Sequence, residues 1–313
     1  MKAVSVRKKR CGRNAKGEKK MVTLRGSGMV EEGTFKDRPA VILKSGDCRI
    51  TVLPEDGGKI ASILKDGFEF LEQAPGDRYL RLAEDGSFVE SECSAFDDMF
   101  PTVDPCKVGK YAYPDHGAVC RTELTHSISG ETLRMVAKLK NLPFLWEKEV
   151  RGLPSGFEIL YRITNLSGEK LPYLYAAHFM LKGSDDLEID TPYGENADAA
   201  YMFGGEFAAL PKNRLTGKRA DGPAYKYYYT EKIAEGKIVA RYHDRALTLV
   251  YDKDDLPYVG VWLNNGSFKG MYNIATEIAS APYDSPLPAE EKGACSYLLP
   301  KERKVFRLQI LLD

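Results

Sequence analysis

From residue 40 onward the chain alternates apolar and polar residues in short runs, and this two-residue period decides its fold class. Successive side chains of a strand point to opposite faces, so short alternating runs mark strands with one buried face. Leu133, Met135, Ala137 and Leu139 show the pattern cleanly. Comparable runs occupy residues 40–43, 48–53, 60–64 and 68–71, separated by turns such as Pro54-Glu55-Asp56-Gly57-Gly58 and Asp66-Gly67. Residues 146–150 and 157–163 flank Leu153-Pro154-Ser155-Gly156, and residues 238–242 and 247–251 flank the hairpin tip His243-Asp244-Arg245. Residues 171–180 form one long apolar and aromatic run, and residues 258–263, 272–278, 295–299 and 305–312 complete the set. No long window carries a 3.6-residue period; a short turn at 230–236 is the nearest approach to a helix. The pattern predicts an all-β chain, a large antiparallel sandwich built as one domain over residues 21–313. Two irregular stretches, 72–115 and 182–228, exceed ordinary connections, so they hold functional loops or strands that alternation does not reveal.

The charge is unevenly spread. Lys and Arg total 45, as do Asp and Glu, yet residues 1–20 carry nine basic residues against the single acid Glu18. The rest of the chain therefore holds 36 basic and 44 acidic residues, a basic arm ahead of an acidic body. The arm has no apolar periodicity and no aromatic residue, and reads as a disordered, solvated tail. An acidic body lacks the surplus of cations that phosphate backbones require, so any contact with nucleic acid would rest on the arm alone. An aromatic content of 11% excludes disorder throughout. No run approaches the about 18 apolar residues of a membrane helix, and no apolar segment follows the basic arm as in a secretory leader. The six cysteines are scattered without a C-x-x-C pair, which fits reduced thiols and a cytoplasmic location.

With only four histidines in the chain, each one is informative. His116 sits in Tyr113-Pro114-Asp115-His116-Gly117, where the glycine lets backbone and ligand approach closely. His178 interrupts the apolar run Tyr175-Ala176-Ala177-His178-Phe179-Met180. It reads either as a core histidine bonded to a neighbouring strand or as a site group, since an unpaired buried polar group costs about 1–3 kcal/mol. Glu277 shares a strand face with Asn273 and Ala275, opposite Tyr272, Ile274 and Thr276. That face is small and polar, as in a pocket lining or a solvent-facing strand. Asp97 and Asp98 lie between aromatics in Phe96-Asp97-Asp98-Met99-Phe100, as solvated acids or as pocket groups. His126 and His243 read as surface residues. Cys106, His116, Cys120 and His126 lack the tight cysteine pair of structural zinc sites, so no metal is expected.

Taken in order, five segments resemble the galactose mutarotase-like (aldose 1-epimerase) superfamily. They are the Gly57-Gly58 turn before a strand, Asp115-His116-Gly117, Ala176-Ala177-His178-Phe179, the pair Tyr258–Trp262 and Tyr272–Glu277, and Leu298-Leu299-Pro300-Lys301-Glu302-Arg303 before the last strand. The spacing, 62 residues from His116 to His178 and 99 more to Glu277, belongs to the match, which spans residues 40–313. The resemblance implies a large antiparallel β-supersandwich and interconversion of the α and β anomers of an aldose, without a cofactor. It implies Glu277 as the base at O1, His178 as the acid at the ring oxygen and His116 as a hydrogen-bonding group there. Asp97, Asp98 and Arg121 would bind hydroxyls, and Trp262 would offer a platform to a sugar face or stand in the core. The residues flanking both histidines depart from the typical pattern, and no equivalent of the family's sugar-binding aspartate precedes Glu277, which marks a divergent member. Arg121 lies near, but out of register with, an arginine of the hexose-6-phosphate epimerases. The acidic body favours a neutral sugar. A non-catalytic carbohydrate-binding protein on the same fold is the alternative.

Overall fold

The computed structural model describes residues 28–204, 214–217 and 222–313, so the basic arm at residues 1–20 lies outside the described residues. Among the described residues, two large antiparallel sheets face each other. The first has eleven strands. Its order runs Gly28–Phe35, Arg38–Ser45, Cys48–Leu53, Lys59–Lys65, Phe96–Met99, Ala176–Lys182, Tyr272–Ala279, Tyr258–Asn265, Tyr225–Tyr229 and Ala199–Phe203, with Phe68–Glu69 pairing beside Lys59–Lys65. The second has nine strands and is centred on Arg303–Leu312, between Gly156–Asn165 and Arg245–Tyr251. The chain is all-β, as the alternation predicts.

Inward-facing residues of both sheets fuse into one apolar core. Val41, Ile50, Ile274 and Ile278 of the first sheet meet Leu133, Ile159, Leu249 and Ile310 of the second. Full burial of each such side chain is worth about 1.5–3 kcal/mol relative to exposure. One ion pair crosses this core. Lys148, on Phe144–Leu153, places its Nζ 2.6 Å from Asp98 Oδ2 and donates to the Gly58 carbonyl at 2.8 Å. The Tyr175 hydroxyl donates to Asp98 Oδ1 at 2.7 Å, and the ammonium lies over the Phe96 ring, 5.0 Å from its centroid. Both charges are fully buried, so each is tolerable only because the other is there.

The outer face of the first sheet is covered as well. Phe88, Val103 and Cys120 from the connecting segments and Ala289 from a short helix pack on Met99, Ala176, Ala275 and Ala279. That helix, Pro286–Glu291, was not expected, although Ser285 as N-cap and Pro286 in its first turn are ordinary start signals. Residues 230–236 form bends, not a helix. The run 171–180 divides: Leu171–Tyr173 pairs with Ser296–Leu298 in a separate ribbon, and Ala176–Lys182 enters the large sheet. The irregular stretches do contain strands, among them Phe96–Met99 and Tyr225–Tyr229, which are covered on both faces and so lack alternation. Gly28–Phe35 was missed because it is a polar edge strand. No helix among the described residues is long and apolar enough to cross a membrane.

The buried pair gives a direct test. Lys148→Met strands the Asp98 carboxylate in the core, and urea unfolding should show a loss of about 3–5 kcal/mol. Asp98→Asn added to that variant should recover part of the loss.

Candidate active site

Strand register builds the site. Across the first sheet His178 pairs directly with Asp97 on one side and Glu277 on the other. Glu277 pairs in turn with Gly260, and Gly260 with Tyr228. Directly opposed residues share a face, so one row holds Asp97, His178, Glu277, Gly260 and Tyr228 on the outer side of the sheet. Their strand neighbours Ala177, Ile278, Val259 and Tyr227 all point into the core.

Gly260 is the gap in this row, and Tyr228 fills it. A Cβ at position 260 would stand 2.6 Å from a Tyr228 ring carbon. Without it, the ring reaches across and its hydroxyl donates to Glu277 Oε2 at 2.8 Å. Lys226, two residues before on the same face, brings Nζ to 3.2 Å from that oxygen and 2.6 Å from Asp284 Oδ1. His178 Nε2 lies 3.2 Å from Glu277 Oε1. Glu277 is 0% exposed. Burial pushes its carboxyl up, but the Lys226 ammonium, His178 and the Tyr228 hydroxyl outweigh burial and hold it well below its ordinary value. Asp284 shifts the other way: burial raises it, and the shared lysine offsets this only in part.

His116 arrives from a loop. The loop holds a positive φ of 54° at His116 and 78° at Gly117, where a Cβ would meet the Phe100 backbone at 2.5 Å. Only glycine permits this close approach. The His116 ring stacks on Phe88 with centroids 4.1 Å apart, and its Nδ1 lies 2.8 Å from Asp115 Oδ1. Burial raises the Asp115 carboxyl, but the His116 ring, the Phe88 N–H and Arg121 together outweigh it and the net shift is downward. The His116 N–H donates to the Val103 carbonyl, and the Val103 N–H donates to the Asp284 carbonyl. His116 and His178 line one cavity of about 310 Å³, with Lys226, Asp284, Trp262, Met180 and Phe268 among its other walls.

The remaining expected residues part ways. Trp262 lines the cavity beside Phe268, with ring centroids 5.1 Å apart. Asp97 faces the same side as His178, but Lys59 takes its carboxylate at 2.5 Å. Asp98 cannot join it, because consecutive strand residues point oppositely; it is the core partner of Lys148. Arg121 lies outside the cavity. Its guanidinium donates to the carbonyls of Ala83, Glu84, Gly86 and Asp115, clamping a loop. His126 stands on an exposed strand, 3.1 Å from Glu32. Lys226, Tyr228 and Asp284 were missed. The sequence signal for Lys226 was a cation inside Tyr225-Lys226-Tyr227-Tyr228-Tyr229, which needs an acidic partner if the strand is covered.

No family model matches the chain, and no curated protein matches it. Solved structures do. A galactose mutarotase-like protein from Lactobacillus casei ATCC 334 is 16% identical with a TM-score of 0.65, covering 88% of this chain and 100% of its own. A galactose mutarotase-like protein from Clostridium acetobutylicum is 12% identical with a TM-score of 0.63, covering 91% and 98%. A galactose mutarotase related enzyme from Lactobacillus acidophilus is 16% identical with a TM-score of 0.61, covering 88% and 97%. The chain has the galactose mutarotase-like fold, and at these identities the likeness is one of fold.

Gly260→Ala tests the row. The methyl group must displace a buried tyrosine ring, which should cost about 1–3 kcal/mol in denaturant unfolding. Fluorescence or NMR of Tyr228 should report its release from Glu277. Unchanged stability and an unmoved ring would show that the row tolerates a side chain there.

Proposed function

We propose that the protein is an aldose 1-epimerase-like isomerase that interconverts the α and β anomers of an aldose by acid–base ring opening. One observation carries this reading: His116 and His178 line a single cavity, and Glu277 Oε1 lies 3.2 Å from His178 Nε2. Tyr228 and Lys226 occupy Glu277 Oε2, so Oε1 is the oxygen left to accept a proton.

In the reaction Glu277 takes the proton from O1. The C1–O5 bond breaks as the C1–O1 double bond forms, and His178 delivers a proton to O5. The open-chain aldehyde turns about C1–C2. Closure on the other face returns the proton from O5 to His178 and that from Glu277 to O1, so nothing is consumed. His116 donates a hydrogen bond near the ring oxygen and stabilises charge developing there. An imidazole can both give and take a proton, which suits a reversible reaction. The resident charges support a neutral sugar, because Glu277 and Asp284 share one ammonium.

A second reading has its own support. A buried carboxylate held low by Lys226 is a weak base, as a carbohydrate-binding protein without catalysis could afford. Exchange NMR between anomers over a panel of neutral sugars separates the two. The enzyme reading expects catalysed exchange, slowed at least about a hundredfold by Glu277→Gln. Sugar binding in calorimetry without exchange selects the binding protein.

The lysine sets a pH dependence. With Lys226 present, Glu277 stays ionised as pH falls through the range where an exposed glutamate takes up its proton. In Lys226→Met only His178 and the Tyr228 hydroxyl still oppose burial, so the carboxyl rises. The acidic limb of kcat/KM should then move up by about one pH unit or more. An unmoved limb would mean that Glu277 does not supply the titrating base.

A further inference from the structure

The cavity extends well past the reacting row. On the Tyr272–Ala279 strand, Glu277, Ala275 and Asn273 share the outer face. Same-face neighbours on a strand stand roughly 6.6–6.8 Å apart, so Asn273 lies about 13 Å along the sheet from Glu277. Between them stands Ala275, itself fully buried, and its direct partners Trp262 and Met180 line the cavity as the two sides of a trough. Beyond it, Phe268 and Met271 form part of the far wall. At the rim, Val89 and Phe203 are 41% and 50% exposed, an apolar mouth.

Asn273 is the unexplained group in this trough. It is 2% exposed, and neither its amide nitrogen nor its amide oxygen has a hydrogen-bond partner. Its cross-strand neighbour Asn264 is occupied: Nδ2 donates to the Phe268 carbonyl and Oδ1 accepts from the Phe268 N–H. A buried donor or acceptor left unpaired costs about 1–3 kcal/mol, so an orphan amide on a cavity wall marks a place for a ligand that both donates and accepts. Adjacent sugar hydroxyls do both, and the carbon face of a sugar ring fits the apolar shelf of Trp262 and Phe268.

We infer that Asn273 and the Trp262 shelf form a distal subsite for a second sugar ring, so that the preferred substrate is a reducing disaccharide. A single pyranose with its anomeric carbon at the reacting row ends over Ala275, short of the orphan amide. A second ring linked at the non-anomeric end reaches it. The inference rests on the anomer-exchange reading for the position of the anomeric carbon. The pairing of trough length with orphan amide does not depend on it.

The test compares D-glucose with maltose and with lactose, both of which anomerise at a glucose ring, by exchange NMR on the full chain. Wild type should show kcat/KM at least about tenfold higher for the disaccharide of a pair, and Asn273→Ala should lower that ratio about tenfold, the worth of one hydrogen-bonded group. Equal rates for one and two rings overturn the inference. So does an unchanged ratio in a folded Asn273→Ala protein. If that variant does not fold, the wild-type ratio alone decides. If no sugar exchanges, the isomerase reading fails by itself, and calorimetry decides the subsite: disaccharide binding at least about tenfold tighter than monosaccharide binding supports it, and equal affinities overturn it.

Discussion

The lateral register of the strands around Glu277 governs everything else in this molecule. A one-residue slip of any of them would turn its whole outer set into the core, because the side-chain period is two. Held in register, His178, Glu277 and Gly260 stand in line, and Tyr228 reaches the carboxylate only because Gly260 has no side chain. The catalytic geometry proposed for the site is therefore a property of the sheet. Loops supply the second histidine and part of the walls of the cavity.

The same alternation explains how two adjacent aspartates serve different ends. Asp97 looks outward to Lys59, beside the row, whereas Asp98 looks inward to Lys148 and Tyr175. The inward pair joins the two sheets at a point fully shielded from water. Removing either partner leaves the other a buried charge whose desolvation penalty the neutral Tyr175 hydroxyl or Gly58 carbonyl offsets only in part. A pair of acids that reads as a binding motif is thus an anchor on one side and a neighbour of the site on the other.

The fold class was legible because alternation survives wherever one strand face is buried and the other is wet. It failed where both faces are covered, as in Tyr225–Tyr229, and where neither is well covered, as in Gly28–Phe35. The candidate site was legible where a polar residue broke an apolar strand, as His178 and Glu277 do. Arg121 misled because a guanidinium near a His-Gly motif looks the same in sequence whether it meets a ligand or four backbone carbonyls. Asp284 gave no signal, since its role arises from a lysine 58 positions earlier in the chain. Asn273 was placed on the correct face, yet its lack of partners is a three-dimensional fact.

Asp284 also has a mechanical consequence. Its carbonyl receives the Val103 N–H, Val103 receives the N–H of His116, and its carboxylate holds Lys226 against Glu277. The loop histidine is thereby referenced to the sheet carboxylate through a few short links, rather than through the length of chain that separates them. Insertions elsewhere in the surrounding loops can lengthen the path along the backbone without altering the span between the loop histidine and the sheet carboxylate. The part of the molecule free to vary and the part that must keep its dimensions are in this way different parts, though they touch.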